Sequence, residues 1–145
     1  MRRIVPLLAV LVVACAQGQA PFTSPDIKEP ARADVLVQVG NSSVDPAVAR
    51  VKEGGSVSWT NDSDYEVVVS FPGADASKFQ CKELRPNFSK NGDTIESLPF
   101  VAGAVRVVLP CALKKGSYPY TIKLVSDISQ MDNPKATLAA QIVVE

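Results

Sequence analysis

Val51-Lys52-Glu53-Gly54-Gly55-Ser56-Val57-Ser58-Trp59-Thr60-Asn61 is the stretch that decides the fold. Val57 and Trp59 alternate with Ser56, Ser58 and Thr60, and a period of two sends successive side chains to opposite faces of a strand. Glu53-Gly54-Gly55 supplies the turn that starts this strand, and Asn61-Asp62-Ser63-Asp64 the polar turn that ends it.

The same alternation recurs on both sides. Val35, Val37 and Val39 share a face of a strand that stops at Gly40-Asn41, and residues 48–51 form a short second strand. After the polar turn, Tyr65, Val67, Val69 and Phe71 alternate with Glu66, Val68 and Ser70. Residues 72–100 are punctuated by Pro72, Gly73, Pro86, Asn87, Asn91, Gly92 and Pro99, and read as one long loop with a helical turn over residues 75–84. Strands resume at residues 104–109. Tyr118, Tyr120, Ile122 and Leu124 line one face of the next, and residues 137–144 close the chain. Seven to eight short strands with almost no helix predict an all-β, Greek-key antiparallel sandwich over residues 34–145.

Composition narrows the chemistry. The 145 residues contain no histidine, and 15 basic residues balance 15 acidic ones. Without histidine the chain lacks the usual neutral-pH general base, the Ser-His and Cys-His nucleophile pairs and the commonest metal ligand. The carboxylates are scattered through turns and strand ends. Asp62 and Asp64 are the closest pair in a promising loop, and a solvated turn explains them. No catalytic constellation emerges, and the chain reads as non-enzymatic with no cofactor. Lys and Arg form no run, which argues against nucleic acid or anionic lipid as a partner.

The N-terminus reads as an export signal. Arg2 and Arg3 precede an apolar stretch over residues 4–14, too short for a stable membrane span. Val12-Val13-Ala14-Cys15 resembles the lipobox of bacterial lipoproteins, whose cysteine is lipidated and becomes the mature N-terminus. Cleavage a few residues later, near Ala16-Gln17-Gly18 or Gly18-Gln19-Ala20, is the alternative. Residues 1–15 are then the signal, and residues 16–33, rich in Pro, Gln and small polar side chains, a flexible tether. The resemblance implies a membrane-anchored envelope protein, periplasm-facing or at the cell surface, held by acyl chains on Cys15. In such an oxidising compartment Cys81 and Cys111 are expected to form a disulfide. The alternative is a pair of thiolates binding a soft metal.

Residues 51–61, together with Lys115-Gly116-Ser117-Tyr118-Pro119-Tyr120 and Ala140-Gln141-Ile142-Val143-Val144, resemble the cupredoxin family of plastocyanin and related blue-copper proteins. In that family two His, one Cys and a weaker axial Met hold copper. The resemblance carries the first His position to about Tyr65, the Cys to Ile122 and the second His to near Val125, with Met131 close to the axial position. Cys111 precedes the Gly-x-Tyr strand and sits on the wrong side to be the copper cysteine. A type 1 copper site is therefore excluded.

What remains is a copper-free sandwich whose Tyr65, Tyr118 and Tyr120 are either a recognition surface or core packing. The expected role is a binding, assembly or structural one, with another envelope protein as partner. Fibronectin type III or immunoglobulin-like adhesion modules are the competing fold, although Trp59 precedes both cysteines and breaks the immunoglobulin order. Asn41, Asn61 and Asn87 each head an Asn-x-Ser triplet, read here as turn chemistry rather than glycosylation.

Overall fold

The computed structural model describes residues 34–74, 77–81, 83–104 and 106–145. The expected signal, the tether and Cys15 lie outside the described residues.

Twelve strands and one short 3-10 turn appear among the described residues. In chain order the strands are β1 (Val35–Val39), β2 (Val44–Asp45), β3 (Val48–Val51), β4 (Val57–Asn61), β5 (Glu66–Phe71) and β6 (Phe79–Cys81). They continue as β7 (Phe88–Asn91), β8 (Thr94–Ser97), β9 (Val107–Val108), β10 (Cys111–Leu113), β11 (Gly116–Val125) and β12 (Ala136–Val144). One sheet has the order β2-β1-β4-β9 and the other β3-β12-β11-β5-β8-β7, with β10-β6 as a separate ribbon.

The two sheets form a sandwich whose inner faces follow the alternation of the sequence. Val37, Val39, Val57 and Trp59 of one sheet, and Val67, Val69, Phe71, Tyr120, Ile122 and Leu124 of the other, are buried in one core. The Gly54-Gly55 turn works because Gly54 adopts a φ of 80°. A Cβ on Gly55 would lie 2.9 Å from both the Asp34 carboxylate and the Lys52 carbonyl.

Three expectations need correction. The sandwich is not wholly antiparallel, because β1 pairs with β4 and β12 with β3 in parallel. After β1 the chain crosses to the second sheet as β3 and returns as β4, so it re-enters the first sheet running the same way. The strands outnumber the expected seven to eight because the 72–100 region contributes β6, β7 and β8, and because Val44–Asp45 and Cys111–Leu113 add β2 and β10. The helical turn expected over residues 75–84 is also displaced, since Phe79–Cys81 is extended and pairs with Cys111–Leu113. There the cross-strand contacts of Phe79 and Cys81 override local helix capping.

Candidate functional site

The end of the sandwich that would hold copper carries four positions to test. Tyr65 is half-buried, and its backbone carbonyl accepts hydrogen bonds from Asn61 Nδ2 at 2.7 Å and Ser63 Oγ at 3.2 Å. Ile122 and Val125 are fully buried. Both belong to β11, which runs unbroken alongside β5 with Ile122 opposite Val69 and Val125 opposite Glu66. Met131 follows the 3-10 turn Ile128–Gln130. One phenol, two aliphatic side chains and a thioether thus occupy the four positions. Among the described residues no group of three or more His, Cys, Asp or Glu could hold a metal ion.

A buried amide organises this end instead. Asn61 Nδ2 donates to the carbonyls of Tyr65 at 2.7 Å and Phe100 at 2.9 Å. Its Oδ1 accepts from the Ser63 amide at 2.8 Å and the Ser63 hydroxyl at 2.7 Å. Gly103 N also donates to the Asn61 carbonyl at 3.2 Å. One side chain therefore ties β4, the 62–65 turn and the 98–103 loop together. Sequence reading missed this role, although a signal existed: Asn61 shares its parity with Val57 and Trp59 and so had to point inward. With its amide nitrogen buried and both its hydrogens donated, Asn61 cannot be a glycosylation acceptor. Beside it Asn41 Nδ2 donates to the Asp64 carboxylate and the Asp64 backbone amide donates to Asn41 Oδ1, both at 2.8 Å, as expected of turn chemistry.

Tyr118 and Tyr120 do not form a recognition surface. They are 3% and 2% exposed, because the inward parity of β11 that buries Ile122 and Leu124 buries them too. They belong to an aromatic series in which Phe88 contacts Trp59, Trp59 contacts Tyr120 and Phe71, and Phe71 leads through Phe79 to Tyr118. Successive ring centroids along it lie 5.1–6.2 Å apart, mostly edge to face. Trp59 Nε1 donates to the Tyr120 hydroxyl at 3.2 Å. Burial pushes the Tyr120 phenol up from its ordinary value. It does the same for Tyr118, where the Glu53 carboxylate adds to the rise. Neither phenol is set up to ionise.

At the other end Cys81 and Cys111 are joined in a disulfide between directly paired residues of β6 and β10. The bridge excludes a thiolate pair as a soft-metal site. Beside it lies a cavity of about 690 Å³ lined by Phe79, Cys81, Leu84, Arg85, Phe88 and Lys90, among others. It belongs to the 72–100 region, away from the would-be copper positions.

No family model matches the sequence, and no curated protein matches it. Solved structures do. An oxidised amicyanin mutant aligns with a TM-score of 0.50 at 15% identity, covering 77% of this chain and 81% of that one. An auracyanin from Roseiflexus castenholzii aligns at 0.44 with 14% identity, covering 77% and 95%. A pseudoazurin from Sinorhizobium aligns at 0.38 with 16% identity, covering 77% and 72%. At such identities the likeness speaks for the fold alone, and the amicyanin alignment carries it. The molecule is a cupredoxin-like β-sandwich. At the positions to which the sequence resemblance carries copper ligands stand Tyr65, Ile122, Val125 and Met131, none of them a His or a Cys.

Proposed function

We propose that this chain is a non-catalytic, copper-free binding or assembly domain, tethered through lipid on Cys15 to a bacterial envelope membrane. One observation carries the copper-free part. Ile122 and Val125 are completely buried in continuous strand at the positions of the Cys and second His. Ile122 faces the core and Val125 the opposite side of β11, so the two positions share no pocket and neither supplies a donor to an ion. The absence of histidine removes the general base that most hydrolytic and transfer chemistry at neutral pH would use. Arg2, Arg3, the apolar 4–14 stretch and Cys15 support the envelope reading.

The test expresses the full chain in a bacterium and follows it by membrane fractionation, N-terminal peptide mass and copper titration. The reading expects membrane association, a diacyl- or triacyl-modified Cys15 peptide, loss of both in Cys15→Ala, and no copper absorption band. An unmodified N-terminus cleaved after residue 18 or 20 would overturn the anchor. Stoichiometric copper binding would overturn the rest.

A further inference from the structure

We infer that the end of the sandwich next to Asp34 is a docking face for an anionic phospholipid surface. In the sequence the lysines are dispersed, and nothing marks such a patch. Folding gathers four of them from three separate turns. Lys52 lies in the turn before β4, Lys78 precedes β6, and Lys114 and Lys115 separate β10 from β11; all four side chains are exposed.

The backbone fixes these turns to one another. Gly54 N donates to the Leu113 carbonyl at 3.5 Å and Lys114 N to the Lys78 carbonyl at 3.4 Å. The Tyr118 hydroxyl bonds the Lys114 carbonyl at 2.6 Å and reaches the Lys78 carbonyl at 3.4 Å. The disulfide holds β6 against β10 just beyond. Four ammonium groups are therefore presented by braced turns, and the stems are free to turn their charges toward a surface.

Acidic groups share this end but are partly engaged. The Asp34 carboxylate accepts the Ser56 amide at 2.7 Å, and Glu145 pairs with Arg50. With Glu53, and with Asp93, whose carbonyl accepts the Ala74 amide, they make four carboxylates against the four lysines and Arg50 among the described residues of this end. The opposite end is the reverse: among the described residues Asp62, Asp64, Glu66, Asp127 and Asp132 outnumber Lys135 and Arg106, the latter just before β9. The domain is therefore charged lengthwise, and an anionic plane attracts one end and repels the other. Asp34 places the junction with residues 1–33 at the lysine end, where its backbone amide bonds the Ser56 carbonyl at 3.0 Å. A chain anchored through its N-terminal segment therefore leaves the domain from the lysine end. Only that point rests on the anchor reading; attraction to an anionic surface does not.

Accordingly, the test uses the mature chain from residue 15 carrying Cys15→Ser, so that no acyl chain contributes. Its partitioning is measured on vesicles of phosphatidylglycerol in phosphatidylcholine and of phosphatidylcholine alone, at low salt. Each lysine near such a surface contributes about fivefold in affinity. Binding is expected to favour the anionic vesicles by roughly tenfold or more, and to collapse when salt shortens the screening length to about 3 Å near 1 M.

Lys114→Glu and Lys135→Glu change the net charge equally at opposite ends. The first should lower binding to anionic vesicles about tenfold and the second less than twofold; Lys115→Glu repeats the first independently. Equal binding to both vesicle types, or equal losses in Lys114→Glu and Lys135→Glu, overturns the inference. Lipidation of Cys15 is read separately, so either result can fail without the other.

Discussion

At the Cys81 end of the sandwich a disulfide joins two short strands, and the Tyr118 hydroxyl ties their flanking turns. At the Asn61 end a single buried amide holds three segments by hydrogen bonds alone. A covalent bridge acts chiefly by restricting the unfolded chain and needs little of its surroundings. An amide hub acts only in the folded state and only while every partner stays in place. The difference teaches how the two ends of one domain are closed by unlike means. At the Asn61 end protein hydrogen bonds do that work, and among the described residues no group of three or more His, Cys, Asp or Glu stands ready to hold a metal ion.

Breaking the bridge should have the largest effect. Cys81→Ser with Cys111→Ser opens a loop spanning a sequence separation of 30 residues. The expected loss is roughly 3–4 kcal/mol in urea unfolding. An unchanged midpoint would mean that the β6–β10 ribbon and Tyr118 close this end without the bridge. At the other end, Asn61→Ala strips a partner from the Tyr65 and Phe100 carbonyls and from the Ser63 amide. A loss of about 2–3 kcal/mol is expected, from leaving buried polar groups unpaired. Asn61→Asp keeps the acceptor but not the donor, and should recover only part of that loss. A larger loss from Asn61→Ala than from removing the bridge would reverse the ranking of the two ends.

The inner strands of both sheets were legible because their period of two is strict. Val57 and Trp59, and likewise Tyr118 through Leu124, point inward as their spacing requires. Burial spoiled the simple picture on β5, where Val68 and Ser70 are buried as well as Val67 and Val69. The outer face there lies beneath Lys123, paired opposite Val68 and bonded to Glu96. Long-range pairing was not legible. No local pattern in Phe79-Gln80-Cys81 announces that it will be a strand, because its partner lies thirty residues on. The histidine-free composition settled the copper question without any structure. Asn61 was marked as inward by its parity with Val57 and Trp59, although its partners were not; the lysine end is made by three turns that meet only in space and carries no mark in the spacing.

The Trp59–Tyr120 pair lies between the two ends and couples neither directly, so its loss should be smaller. Tyr120→Phe keeps the edge-to-face contact with Trp59 and the contact with Phe71, at centroid distances of 5.6 Å and 5.2 Å. It removes the acceptor of the buried indole N–H. The expected cost is about 1–2 kcal/mol, with a shift in Trp59 fluorescence as the local readout. Trp59 is the chain's one tryptophan, so that signal has a single source.

The smallest effect should come from the outer face of β5, and it depends on pH. Burial alone would raise the Glu96 carboxyl. Hydrogen bonds from Lys123 and Ser70, both at 2.9 Å, together with the lysine's charge, outweigh burial and hold it below its ordinary value of 4.5. A carboxyl whose folded value is depressed stabilises the fold fully above its unfolded value and loses that contribution as pH falls through the folded one. Glu96 therefore contributes at neutral pH and fades below about pH 4.5. Glu96→Gln should cost about 1 kcal/mol at pH 7, since the pair is only partly shielded at 22% and 28% side-chain exposure. Unfolding midpoints of Glu96→Gln and the parent chain, measured from pH 7 downward, should converge in the acid range. Curves that stay parallel there would show that the carboxyl's charge contributes nothing, and that Ser70 and Lys123 merely cover Val68.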